Sequence, residues 1–265
     1  MKRVIGSFMF LTLVACGGEK PTASDANTNG DVDTAAAANP NAEGTAAKEG
    51  INCAVIAKPA ANSPDALGVS LKMTYDDAYK TVACADPSMV VTVGGEPGQR
   101  LISGEGDKDS ISVKLLGALG DDRVIEVNRV VKVEQGKEPA IANLRKLLTD
   151  KYGALLTTQG ADSNSGSYVV NVIKTTDGQA VGEGSPMIDK CLYYGDRTPN
   201  CGFAMAANMV RLPTNPELTS NFNVVIQDLA YTATQRAAFE ASASKSDANR
   251  RANEVQQSSA NNPQL

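Results

Sequence analysis

The sequence predicts an α+β fold: a mostly antiparallel sheet with two or three helices packed on one face, preceded by a disordered tether. Three observations carry that expectation. Period-two apolar alternation recurs in short runs, as in Ile111, Val113 and Leu115, or Phe203, Met205, Ala207 and Met209. Two segments repeat apolar residues at three- and four-residue steps instead, Tyr75, Ala78, Tyr79 and Val82 in one and Ile141, Leu144, Leu147 and Leu148 in the other. Residues 17–50 contain no aromatic residue and a single large aliphatic, Val32, so they cannot bury enough apolar surface to offset their ordering entropy.

Composition bounds the chemistry. The chain has 265 residues, 42% hydrophobic and 21% charged, the balance of an ordinary globular protein. It has no Trp and no His. Without His there is no Ser-His-Asp or Cys-His catalysis and no imidazole metal site. A net charge of −5 argues against a nucleic-acid partner, which needs a concentrated basic surface.

At the N-terminus, Lys2 and Arg3 precede an uncharged apolar run, Val4 to Val14, too short to span roughly 30 Å of hydrocarbon as a helix. Leu13-Val14-Ala15-Cys16-Gly17 follows. This segment resembles the bacterial lipobox. The resemblance implies a signal peptide over 1–15, removal after Ala15, and acylation of Cys16, with palmitate-type chains holding the protein to a membrane. Each buried methylene contributes about 0.8 kcal/mol, so several chains anchor durably where one would not. Gly17 lacks the Asp that retains proteobacterial lipoproteins in the inner membrane, which implies the outer membrane with the body facing the periplasm.

Residues 16–50 then read as acylated Cys and tether, with six acidic and two basic residues between 17 and 50. As a flexible coil the tether would reach roughly 30 Å. The globular domain is expected over 51–231, and a short C-terminal helix from Thr232 to Ala241 with a disordered tail over 232–265.

Within the body, Thr74 is a good N-cap for the first helix, and Asp76 and Asp77 complement its dipole. Asp86-Pro87 ends it. Strand character follows over Met89–Val93, Leu101–Ser103 and Ile111–Leu116, separated by a turn at Gly94–Gly98 and polar loops at Gly104–Asp109 and Gly117–Asp122. Val124–Glu134 is the longest strand candidate, with Ile125, Val127, Val131 and Val133 on one face. Arg129 interrupts that face, so a bulge is expected near it. Pro139 and Gly153 bracket the second helix, Glu138–Tyr152. Tyr168–Ile173, a short Cys191–Tyr194 segment, Phe203–Met209 and Phe222–Ile226 make the second half β-rich.

Leaving Cys16 aside, the mature chain has four cysteines, Cys53, Cys84, Cys191 and Cys201, an even number that favours two disulfides in an exported protein. Three pairings are possible; the local one is Cys53–Cys84 with Cys191–Cys201, about 3 to 4 kcal/mol each by loop entropy.

Gly68-Val-Ser-Leu-Lys-Met-Thr74, followed by an amphipathic helix and strands, resembles the start of the folded domain in SmpA/OmlA-type (BamE-like) β-barrel-assembly accessory lipoproteins, with Gly68, Met73, Thr74 and Ala78 as the matching positions. Lys72 stands where that family carries Gly. The same helix-then-strands order is similar to secreted inhibitor domains built from helix-plus-meander units.

Motifs for nucleotide binding and the nucleophile elbow are absent from the sequence. Glu105, Asp107 and Asp109 read as a solvated hairpin loop, and Asp121 and Asp122 as turn formers. Tyr193, Tyr194 and Arg197, with Lys190 and Asp196, surround the Cys191–Cys201 loop and form a possible binding surface, since Tyr and Arg dominate recognition hot spots. The expected function is a non-enzymatic, lipid-anchored binding or scaffolding protein of the cell envelope, with an envelope protein as partner and no cofactor or metal. The alternative is an inhibitor or protective protein acting on a hydrolase through the Cys191–Cys201 loop.

Overall fold

In a computed structural model of the chain, residues 44–45, 51–56, 59, 64–96, 98–118, 120–157, 166–194 and 200–259 are described. The expected signal peptide 1–15, Cys16 and nearly all of the tether lie outside them. Gly44–Thr45 (β1) is the part of the tether that is described, and it pairs antiparallel with the edge of the sheet. That departs from a wholly unstructured tether.

Among the described residues, the body is one nine-stranded antiparallel sheet flanked by four α-helices, with a separate two-stranded ribbon, β2 (Asp65–Ala66) and β3 (Val69–Ser70). Helix α1 (Tyr75–Ala85) leads into the meander β4 (Val90–Glu96), β5 (Gln99–Glu105), β6 (Asp109–Leu116) and β7 (Arg123–Lys132). Helix α2 (Ile141–Tyr152) leads into β8 (Leu156–Thr157), β9 (Ser167–Thr175), β10 (Cys201–Leu212) and β11 (Asn215–Asp228), with α3 (Met187–Tyr194) inserted between β9 and β10. The long helix α4 (Leu229–Ser259) closes the described chain.

The strand order is β1-β4-β5-β6-β7-β11-β10-β9-β8. Each half is thus one helix followed by four strands, and the last strand of each half pairs antiparallel with the other along β7 and β11. The topology has an approximate two-fold symmetry about that seam.

Helices α1 and α2 cover the same face, where Val82 and Ala78 of the first and Leu148, Ile141 and Tyr152 of the second join the main core. α3 and the start of α4 cover part of the opposite face, in a second cluster that contains Cys191, Leu229, Ala204 and Ile173. Gly104 on β5 allows α1 to approach: a Cβ there would stand 2.7 Å from both Val82 Cγ1 and Met89 Sδ.

Several local expectations hold. α1 begins after Thr74, whose hydroxyl oxygen accepts from the Asp77 amide at 3.2 Å and donates to the Asp77 carboxylate at 2.7 Å. Ile111, Val113 and Leu115 are buried together, as are Phe203, Met205, Ala207 and Met209. Gly153 follows α2 with positive φ and donates to Thr149 O at 3.0 Å.

Others are corrected. The turn expected at Gly94–Gly98 is shorter, because the hairpin register carries Gly94, Gly95 and Glu96 into β4 opposite Leu101, Arg100 and Gln99. The bulge in β7 lies at Ile125 rather than near Arg129: Val124 pairs with Leu115 and Glu126 with Lys114, leaving Ile125 as the extra residue. The bulge places Val124 and Val127 on the buried face, three residues apart. Arg129, half-buried, keeps its place on that face because the buried Asp109 accepts from its Nε at 2.8 Å.

α2 starts at Ile141 instead of Glu138, since Pro139 O accepts from Thr219 N at 3.1 Å and Ala140 bridges to Leu218, holding both residues extended beside β11. Leu147, expected in its apolar stripe, is 63% exposed. Cys191–Tyr194, read with the strands, is the end of helix α3, started by Ser185, whose hydroxyl oxygen accepts from Met187 N at 3.3 Å. The C-terminal helix does not stop near Ala241. Residues 229–259 contain neither Gly nor Pro, and Arg250 pairs with Asp247 and Glu254 at helical spacing, so the helix continues to Ser259.

Candidate functional site

A cleft lies between α4 and the β5–β7 part of the sheet, on the face that α1 and α2 leave open. It encloses about 520 Å³, within the usual size of ligand sites. Its sheet wall is apolar, made by Leu101, Leu115, Leu116 and Ile125. Phe239 forms the helix wall and is 65% exposed. A second cavity of about 330 Å³ continues past Phe239, against Gly98, Gly117 and Ala118 of two neighbouring turns.

Local structure explains the arrangement. Leu101 alternates with the buried Ile102 and so faces α4. Ile125 reaches the cleft because it is the bulged residue. α4 is positioned by Asp228, the last residue of β11, which accepts from the Tyr231 amide at 2.8 Å as an N-cap and pairs with Lys72 at 3.3 Å.

The polar rim holds Arg100, Lys114, Arg236 and Glu240. Arg100 donates from Nε to Asp122 Oδ2 at 2.7 Å, forms a second bond to Asp122 Oδ1, and lies over the Tyr75 ring at 3.6 Å. Asp122 is only 1% exposed, so this pair is a buried strut from the cleft to the start of α1. Burial raises the Tyr75 hydroxyl above its ordinary range, against the lowering effect of the Arg100 charge. Lys114 pairs with Glu126 at 2.7 Å, and Gln227 donates to the same carboxylate at 2.7 Å. Among the described residues the lining offers one carboxylate, Glu240, and no hydroxyl or thiol. The arrangement suits binding: an apolar floor with a charged rim.

The residues singled out from sequence are placed as follows. Both local disulfides form, Cys53–Cys84 and Cys191–Cys201, with Cα separations of 5.5 and 5.6 Å. The first ties a short 3₁₀ turn at Cys53–Val55 to the end of α1; the second ties α3 to β10. Tyr193 and Tyr194 end α3, but their side chains lie outside the described residues, as do Asp196 and Arg197. Cys16 also lies outside them.

The acidic residues are not brought together. Glu105 pairs with Lys132 at 3.3 Å and Asp109 with Arg129, beside the β5–β6 turn that carries Asp107, while Asp121 and Asp122 occupy the turn at the other end of β6. Among the described residues no group of three or more acids or cysteines could hold a metal ion. Sequence reasoning missed Leu101, Ile125 and Phe239. The β7 bulge and the path of α4 across the sheet create that site, and neither has a local signature.

No family model, curated protein or solved structure matches the chain.

Proposed function

We propose that the protein is a non-enzymatic lipoprotein of the bacterial outer membrane, anchored through acyl chains on Cys16, whose body faces the periplasm and binds an envelope protein. The observation that carries the reading is the Leu13-Val14-Ala15-Cys16-Gly17 segment behind a basic start and a short apolar run. Two disulfides suit an oxidising compartment. No helix among the described residues is long and apolar enough to cross a membrane. The cleft beneath α4 is the surface offered to the partner.

Metabolic labelling with an alkyne palmitate tests the anchor. The wild-type chain should take up label and sediment with membranes, and Cys16→Ser should lose both. An unmodified residue 16 in the mature product would overturn the assignment. For the partner, a photo-crosslinking side chain at position 239 should trap one envelope protein in intact cells, while the same group at the exposed position 137 traps none. Equal trapping at both positions would remove the cleft from the reading.

A further inference from the structure

A second polar feature lies away from the cleft, where β9 starts and β10 ends beside α2. Tyr168 of β9 carries two guanidinium groups against its ring: Arg145 of α2 at 5.3 Å from the ring centre and Arg211 of β10 at 5.7 Å. Among the described residues neither arginine forms an ion pair with a carboxylate. Arg100, Arg129 and Arg250, in contrast, each do.

Arg211 is set in place by an irregularity in its strand. The β10–β11 register shifts on both sides of it, and its amide donates to Gly166 O at 2.7 Å. Such irregularities redirect side chains in a strand. The result is that Arg211 Nε is buried and has no hydrogen-bond partner among the described residues. A buried cationic N–H without an acceptor is costly, and such groups in folded proteins are normally satisfied by a bound ion or water.

We infer that Arg211, Arg145 and Tyr168 form a binding site for an oxyanion, a phosphate or carboxylate group, with Arg211 Nε as the central donor. Guanidinium groups match both oxyanions in geometry, and they need no change of protonation to bind them. The site is separate from the cleft and from the lipid anchor.

The test follows the arginine Nε–H signals of the full mature chain by NMR, with Arg211→Lys identifying the Arg211 resonance. Inorganic phosphate and acetate are titrated separately against chloride at constant ionic strength. The Arg211 signal should shift saturably with at least one of them, and the arm that saturates at lower concentration names the preferred group. Arg145→Gln should weaken that binding by on the order of tenfold, and Tyr168→Phe, which keeps the ring, should preserve it. A response no different from chloride would overturn the proposal. So would a response untouched by Arg145→Gln.

Discussion

Two adjacent rows of the sheet, one residue apart on every strand, differ completely. Val93, Ile102, Val113, Val127, Ile226, Met205 and Val172 pair across seven strands on the face under α1 and α2. The next row, on the opposite face, is Thr92, Ser103, Ser112, Asn128, Val225, Ala206 and Asn171. The first row is a packed interior. The second mixes polar side chains with Ala206 and Val225, and α3 and the start of α4 pack on part of that face. A period-two chain therefore encodes a core on one face and leaves the other to be occupied by whatever crosses it. The cleft exists because α4 crosses the second face without closing onto it.

The strut between the two faces should give the largest effect. Asp122→Ala leaves Arg100 without its buried partner and should cost about 3–5 kcal/mol, read as a lowered urea midpoint. A cost below about 1 kcal/mol would show that the two faces are not joined there.

The comparison of rows is sharpened by paired substitutions. Met205→Ala opens a cavity in the first row and should cost about 2–5 kcal/mol. Asn128→Ala in the second row removes a buried amide oxygen that has no partner among the described residues, and should be neutral or stabilising. Similar losses for both would mean that the second face is as tightly packed as the first.

Removing the Cys191–Cys201 bridge as a double Ser variant should cost about 3 kcal/mol by loop entropy and lower the thermal midpoint, with no further loss on adding a reductant that spares Cys53–Cys84.

Alkaline titration tests the packed face. Burial drives the Tyr152 phenol far above its ordinary pKa, so the folded state resists its ionisation while the unfolded state does not. Its stabilising contribution is complete below about pH 10 and is lost as pH rises beyond that. The urea midpoint should fall as pH rises above about 10, and Tyr152→Phe should flatten that fall. The same variant lowers the midpoint uniformly at neutral pH, because it loses the 2.6 Å bond donated to Asp65 O.

The smallest effect should come from truncating α4 after Ala241. Residues 236–257 are all exposed, so the thermal midpoint should hardly move. A loss above about 1 kcal/mol would show that this part of the helix packs on something.

Legibility followed the range of the interactions. Thr74 capping α1, Gly153 ending α2, and the alternation of Phe203–Met209 depend on residues a few places apart, and all three could be read directly. α2 losing its first turn, and Cys191–Tyr194 becoming helical, could not. The first depends on Thr219 pairing with Pro139 across 80 positions of chain. The second depends on a short segment whose apolar pattern fits either period. Leu147 was misassigned because helical spacing defines a stripe without saying how wide the neighbouring sheet is.

Sequence alone determined the α+β class, the Thr74 cap of α1, the Gly153 stop of α2 and the buried alternation, because each is written in neighbouring side chains; the cysteines left three pairings open, and the fold chose the local one. Only the tertiary structure decided that two helix-and-four-strand halves meet antiparallel at β7 and β11, that Ile125 is extruded toward α4, and that Arg100, Asp122 and Tyr75 converge. Those outcomes come from register and packing between distant segments, where one residue of slip moves every side chain to the other face.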